Sequence, residues 1–474
     1  MSYSPKLRTA VLLSGNGTGG AYHAGVLRAL HEAGVKIDVM SGRGVGVVGA
    51  VFAAIDAASK TWEDGGVWRR HPAARMYRWR PALLWAAVLA LMAAAILAVP
   101  LLVLATGLLA YPLSFLVQMI NVDAGFRLVT AYSDLVRYAF APGALPTFIP
   151  RLITLCLAAA FGVLAVSAVR LSVVARSIHP SFGETRRSRG EGGKAEMTHW
   201  AHRDRGRWWA RLVGSPWSTE PGLAHVRASL WQLFRGPVTA KEPLAAELSR
   251  RYIELLLENL GQPGFRELIV GTLDLETRGD LIFAALREDR RAAYFQRSRG
   301  DLIDLAGVGR NQILEAVAGA VSLPVLTEPH LVAFSPESYW KGETHRTCDR
   351  IGAVARLLDE LAAAGVEQVV AVCADADRTA PHRLSKPSGS LESRMAEYCA
   401  AAETAAMRDA ATSHKKRFKG LFVIQPAHNP IGPFEFSGAY DERSDRYLNL
   451  GELMDRGYED AYRQFVEPVV GGSE

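Results

Sequence analysis

The hydrophobic positions change period along the chain. Near the start, "TAVLLS" is a continuous apolar run of strand length, "GNGTGG" a glycine turn, and "AYHAGVLRALHEAG" an amphipathic helix stopped by Gly34. A short apolar segment, "VKIDVM", then passes through "SGRGVGVVGA" into the helical pattern "VVGAVFAAIDAA", a second strand, turn and helix. After residue 240 the alternation resumes with a helix, "PLAAELSRRYIELLLENLG", a strand pair, "FRELIVGTLDLETRGDLIFAALR", and a helix, "NQILEAVAGAVSLPVL". There follow the helix "IGAVARLLDELAAAG", the buried strand "VEQVVAVCA", a polar loop over 376–390 and the long helix "LESRMAEYCAAAETAAMRDAATSHKKRF". The strand "GLFVIQPA" and a terminal helix, "LGELMDRGYEDAYRQFVEPVV", complete the pattern. Strands alternating with helices predict an α/β fold with helices on both faces of a sheet.

The middle of the chain has no such alternation. From Pro81 to Asn121 no residue is charged, a run far longer than the roughly 20 residues one helix needs to cross hydrocarbon. A second apolar run, "LITLCLAAAFGVLAVSAV", lies between Arg151 and Arg170. Arg69, Arg70, Arg75, Arg78 and Arg80 precede the first run, and Arg170, Arg176, Arg186, Arg187 and Arg189 end or follow the second. The connection between them carries only Asp123, Arg127, Asp134 and Arg137, so the excess of arginine places both outer flanks in the cytoplasm and makes the number of spans even. The expected organisation is therefore 1–66 and 241–474 as two parts of one domain on the cytoplasmic side of an integral membrane protein. A membrane insertion over 67–240 would separate them, with spans at about 82–105 and 152–172. Pro100 and Pro112 leave open whether the long first run is one kinked helix, a span plus a surface helix, or two short passes. The tryptophan- and arginine-rich stretch over 200–217 suits a bilayer surface as well as an ordinary linker.

Charge and cysteine usage change this picture little. The net charge of +6 is explained by arginines flanking apolar runs, and no nucleic-acid partner is expected. Cys156, Cys348, Cys373 and Cys399 are far apart with no C-x-x-C pair, and His199 and His202 have no ligand companions at zinc spacing. Reduced thiols, no metal and no cofactor are expected. The start of the chain, "MSYSPKLRTAVLLSG", goes straight into a strand without the pattern of a signal peptide.

Two glycine-rich turns carry the candidate chemistry. Gly15, Gly17 and Gly20 fit G-x-G-x-x-G between a strand and a helix, with Asp38 about where a ribose-binding acid would stand in a dinucleotide site. Backbone N–H groups at such a turn bind negative charge, whether phosphate or a developing oxyanion. The second turn, "SGRGVGVVGA", has the glycines of a G-x-S-x-G nucleophile elbow at Gly42 and Gly46, with Gly44 where the serine would be.

Taken together, "RTAVLLSGNGTGGAYHAGVLRALHEAGVKIDVMSGRGVGVVGA" closely resembles the opening of the patatin-like phospholipase family: strand, G-G-G-x-R-G oxyanion loop, "GAYxAGVLRAL" helix, and a second strand ending in G-T-S-A-G. The resemblance implies a three-layer α/β/α sandwich around a mostly parallel sheet, here interrupted by transmembrane helices. It further implies an oxyanion loop at Gly15, Asn16, Gly17 and Gly20, with an elbow flanked by Gly42 and Gly46. The family's second catalytic residue is an aspartate in a D-G-G or D-G-A motif, and "TCDRIGAVARLLDELAAAGVEQVVAV" puts Asp349 there, followed by Arg350 instead of glycine. The partners implied are a membrane lipid or fatty acyl ester and the bilayer; no protein partner can be named.

The departures fall on the chemistry. The family's dyad is a serine nucleophile and an aspartate base, but the serine position is Gly44, the loop arginine is Gly19, and one loop glycine is Asn16. No serine in the chain has glycine both two before and two after it. The expectation is a nucleophile-lacking relative of lipid acyl hydrolases. The alternatives are an active hydrolase using Ser41 or Cys348, and a nucleotide-binding protein using the first turn. His23, on the helix after that turn, reads as a partnered structural histidine, and "HKKRFK" as a solvated helix end.

Overall fold

The computed structural model describes residues 3–70, 73, 76–177, 214–236, 240–297, 300–377, 391–426, 439–441 and 446–471. Most of the expected loop over 376–390 and of the segment over 200–217, together with His199 and His202, lies outside the described residues. The chain forms two compact units, one from 1–78 and 217–474, the other from 79–216.

The first unit begins with β1 (Thr9–Ser14), α1 (Gly19–Glu32), β2 (Val39–Gly42) and α2 (Gly46–Ala54). The short strand β3 (Arg78–Trp79) ends this run. In the second unit follow α3 (Pro81–Ala105), α4 (Gly107–Gln118), α5 (Val122–Ala139) and α6 (Leu145–Ser177). The first unit resumes with β4 (Trp217–Ser218), α7 (Glu220–Arg235), α8 (Ala245–Asn259), β5 (Glu267–Asp274), β6 (Gly279–Ala285) and α9 (Glu288–Phe295). Then come β7 (Leu302–Asp304), α10 (Ile313–Val321), β8 (His330–Ala333), β9 (Thr344–Cys348), α11 (Val354–Ala363) and β10 (Gln368–Cys373). The described chain ends with α12 (Leu391–His414), β11 (Gly420–Ile424), β12 (Ala439–Asp441), β13 (Arg446–Leu448) and α13 (Leu450–Ala461), which runs on into a wide helical turn at Tyr462–Val470.

The central sheet has the order β11-β10-β1-β2-β5-β6-β7, with β9 on β5 and β8 on β9. Strands β11, β10, β1, β2 and β5 are mutually parallel, β6 is antiparallel to β5, and β6 and β7 are parallel. Successive residues point to opposite faces. Val11, Leu13, Met40, Val270, Val370 and Val372 enter a core with α1, α2, α7, α8, α10 and α13, while Ala10, Leu12, Val39, Ile269, Val369 and Ala371 enter a second core with α9, α11 and α12. Because both faces are covered, the strands read as unbroken apolar runs, as parallel strands do. The fold is thus α/β, a mostly parallel sheet between two helical layers. The segment "VKIDVM" contributes less strand than its composition suggests: β2 starts at Val39, because Asp38 turns its carboxylate to the Thr9 N–H at 2.9 Å. Tryptophan 68, Met76, Val226, Leu230 and Trp231 are buried in the first core, so this unit includes residues on both sides of the helical segment.

In the second unit, α3 and α6 lie side by side, with Ala93 of one and Cys156 and Ala160 of the other buried. Arg80, before α3, donates to Ser167 Oγ near the end of α6 at 3.1 Å, so the two helices run antiparallel. The stretches Pro81–Gln118 and Leu145–Arg170 are long and apolar enough to cross a membrane, and most of their apolar side chains are exposed.

The strand pair β8–β9 is tied to the sheet by a buried ion pair. His345 Nδ1 donates to Asp274 Oδ2 at 2.7 Å, and Asp274 Oδ1 accepts from the Glu276 N–H at 2.9 Å. Glu343 faces the other ring nitrogen at 3.4 Å, and Phe334 and Trp340 pack edge-on to the imidazole. Burial disfavours the imidazolium, but Asp274 and Glu343 outweigh it and raise the His345 pKa; burial likewise opposes the Asp274 carboxylate, and His345 outweighs that and lowers its pKa. A raised histidine pKa gives stability that is complete below its unfolded value near 6.5 and lost as pH rises through the folded value. The depressed aspartate gives stability present above about 3.9 and lost as pH falls. Thermal unfolding of the purified protein will therefore give its highest midpoint from this pair between those limits. His345→Gln will remove the alkaline decline and cost about 1.5–3 kcal/mol at pH 6.

Candidate functional site

Parallel pairing of β1 with β2 and β10 brings three loops to one edge of the sheet: the Gly15–Thr18 turn, the Arg43–Val45 turn, and the chain after Cys373. Ligands of open α/β sheets bind at this carboxyl edge. Asp38 lies at the opposite edge, before β2, paired with Lys36 at 3.2 Å. It is therefore not placed where a ribose acid would meet the Gly15–Thr18 turn, and the spacing in sequence that suggested a dinucleotide site has no counterpart in space.

At the second turn Gly44 has φ +55°, the left-handed region that side chains rarely adopt. A Cβ there would stand 2.3 Å from the Gly15 carbonyl oxygen and 2.9 Å from Asn16 Oδ1. The two turns are drawn together by the Val45 N–H, which donates to the Gly15 oxygen at 2.9 Å. In a nucleophile elbow the N–H after the nucleophile serves the oxyanion; here that donor is spent on the facing loop. Gly46 packs as closely on β1, where a Cβ would meet the Leu13 oxygen at 2.3 Å. Gly42 ends β2, and Gly20 lies in the first turn of α1, covered by the Trp68 ring, instead of in the loop.

Arg43, immediately before Gly44, turns its side chain into the protein and is 1% exposed. Its guanidinium takes both oxygens of Asp349, with Nε 3.1 Å from Oδ1 and Nη2 on Oδ2. Nη1 binds Glu403 of α12, and Nη2 reaches Asn16 Oδ1 at 3.3 Å. Ser14 donates to Glu403, and the Gly352 N–H donates to the same carboxylate at 2.9 Å. Asp349, at the end of β9, also accepts from the Gly44 N–H, and its own N–H donates to the Ser322 oxygen at 2.8 Å. The structure thus brings Gly44, Asn16 and Asp349 together, as the sequence suggested, but around an arginine.

The electrostatics follow from burial. Desolvation raises the Asp349 pKa, opposed by Arg43 and by the Gly44 N–H; the two carboxylates in turn hold the Arg43 proton more tightly than usual. Asp375, past β10, is pushed up to about 7 by burial and by Glu403. His23 donates its Nε2–H to the Ser14 carbonyl oxygen at 3.1 Å and is lowered to about 4 by burial, a neutral histidine. Ser41 is fully buried within β2, with no hydrogen-bond partner for its hydroxyl among the described residues, and burial raises the Cys348 thiol to about 11. Asp349, the carboxylate next to Cys348, is held by Arg43. A cleft bordered by Arg43, Thr272, Asp280 and Arg350 has a volume of about 10 Å³, room for about one water and not for an acyl chain. Among the described residues, no three His, Cys, Asp or Glu side chains come together as metal ligands would, and the four cysteines are free and buried.

Arg43 and Glu403 were not singled out by the motifs. Glu403 could have been found: it shares a helical stripe with Cys399, Met407 and Ala410, all buried.

Among curated proteins, Patatin-like phospholipase domain-containing protein 6 of Mus musculus is 40% identical over 62 residues, 13% of this chain and 5% of that protein. The Homo sapiens protein of the same name matches equally over 4% of its length. The similarity to patatin-like phospholipases is thus short. No family model matches the chain. VipD from Legionella pneumophila aligns with 99% of this chain and 67% of its own, at 14% identity and a TM-score of 0.32.

Removing one member of a buried ion cluster leaves uncompensated charge. Arg43→Met should cost about 3–5 kcal/mol in denaturant unfolding. Adding Asp349→Asn and Glu403→Gln should recover a large part of that loss, and a triple-mutant cycle over the three positions will show the coupling.

Proposed function

We propose that this chain is a membrane-tethered member of the patatin-like family that does not hydrolyse its lipid. The observation that carries this reading is the pairing of two changes at one spot. Gly44 has no atom to attack a carbonyl and no space for one, and Asp349, which the resemblance makes the base, is a counter-ion of Arg43. A dyad that loses its nucleophile ordinarily loses nearly all its rate. The donor that would stabilise an oxyanion is also engaged, by the Gly15 oxygen.

On this reading the chain's relation to lipid is residence in the bilayer through α3 and α6, with the α/β unit on the cytoplasmic side, as the arginine distribution favours.

Hydrolysis of phospholipids and of short p-nitrophenyl esters by the detergent-purified protein tests this. Wild type is expected to give no turnover above the Asp349→Ala variant. Gly44→Ser alone is also expected to be silent, and less stable, because its Cβ meets the Gly15 oxygen and its base is occupied. Turnover by wild type that Asp349→Ala abolishes would sink the proposal. A fluorophosphonate or thiol-reactive acyl probe should label neither Ser41 nor Cys348 in the folded protein; adduct at either, found by mass spectrometry, would restore an active hydrolase.

A further inference from the structure

The apolar stretch Pro81–Gln118 has 38 residues, about 57 Å of helix where the hydrocarbon needs about 30 Å. The helix α3 alone, with 25 residues, covers the distance, and α4, with 12, is too short to cross again. What, then, does α4 do with its apolar surface?

The break at Thr106 and Gly107 is built. Tyr132 of α5 donates to the Leu104 carbonyl at 3.1 Å, and its ring lies so close to Gly107 that a Cβ there would stand 2.5 Å from the hydroxyl. Gly125 of α5 sits equally close to α4, where a Cβ would meet the Ser114 oxygen at 2.7 Å. Gly107 thus makes room for the Tyr132 ring, and Gly125 lets α5 approach the backbone of α4.

The outer surfaces of the pair differ in kind. On α4, Leu108, Leu109, Leu113, Phe115 and Leu116 are exposed, as is Met119 just after it, and the helix has no charged residue. On α5, Asp123, Arg127, Asp134 and Arg137 recur at i, i+4, i+11 and i+14, one narrow stripe on the side away from Gly125 and Tyr132. A charged side on one helix and an apolar side on its partner make the layered profile of an element lying in a bilayer surface.

We propose that α4 and α5 form a hairpin embedded in the headgroup–acyl boundary of the leaflet at the C-terminal end of α3. Its α4 side faces the lipid chains, and the charged stripe of α5 faces water. The proposal rests on the membrane residence of α3 and α6 given above. It is argued from the continuity of α4 with α3, since any lipid around the end of α3 also meets the side chains that follow.

The test uses the full chain in vesicles of phosphatidylcholine and phosphatidylglycerol, with a nitroxide attached to Leu91→Cys, Leu116→Cys or Thr130→Cys. Relaxation by oxygen against a water-soluble nickel chelate reads depth. Leu91 should lie near the bilayer middle, about 15 Å down, and Leu116 at about 5–10 Å, with Thr130 open to nickel. Leu116 as deep as Leu91 would make α4 part of a span and overturn the hairpin. Spin–spin broadening at Leu116 would mean that a second copy of the chain covers this face, and would overturn it equally. Nickel access at Leu91 would instead overturn the membrane reading on which it rests.

Discussion

A guanidinium without access to water fixes the geometry at the carboxyl edge of the sheet. Arg43 joins the turn after β2 to the end of β9 through Asp349 and to α12 through Glu403, and it draws Asn16 of the first glycine turn into the same cluster. Elements far apart in sequence are held by one cation. A planar group with five donors suits this better than an ammonium could, since it meets two carboxylates and an amide oxygen at once. The arrangement also accounts for the shape of the turn at Gly44: the backbone there must reverse sharply for its neighbour to point inward and for its own N–H to reach Asp349.

A catalytic carboxylate has to have a lone pair free for a proton. At Asp349, Arg43 Nε and Nη2 and the Gly44 N–H take three of about four lone-pair sites, so its charge is committed chiefly to holding the arginine. On the proposed reading, the site has exchanged reactivity for cohesion. Unpaired groups are common at active centres of natural proteins, and around the paired Arg43 cluster Asn16 Nδ2, His23 Nδ1, Ser41 Oγ and Asp375 Oδ2 are buried without a partner among the described residues.

The α/β architecture could be read from the sequence because β1, β5 and β10 are covered on both faces and so appear as solid apolar runs. The polar strand β9, "THRTC", and the short β7 and β8 had no such signature, since their pairing is set by neighbours distant in the chain. Gly44 and Asp349 could be matched to a motif. Arg43 could not, because an arginine between glycines reads as a solvated turn until the burial of its surroundings is known. Asp38 misled for the same reason: sequence distance from the glycine turn says nothing about which edge of the sheet a residue occupies.

The insertion of α3–α6 between β2 and β5 has a consequence for how the chain is made. Strand β2 pairs with β1 on one side and with β5, more than two hundred residues later, on the other. At about 5–20 residues per second, its open edge waits roughly 10–45 s during synthesis. For that time the N-terminal strands cannot complete their sheet, while the apolar helices are emerging. On the proposed reading, membrane insertion would anchor the nascent chain and return residues after α6 to the side where the first strands wait. On that reading, the separation that makes the fold slow to close would also give its two halves a shared point of attachment.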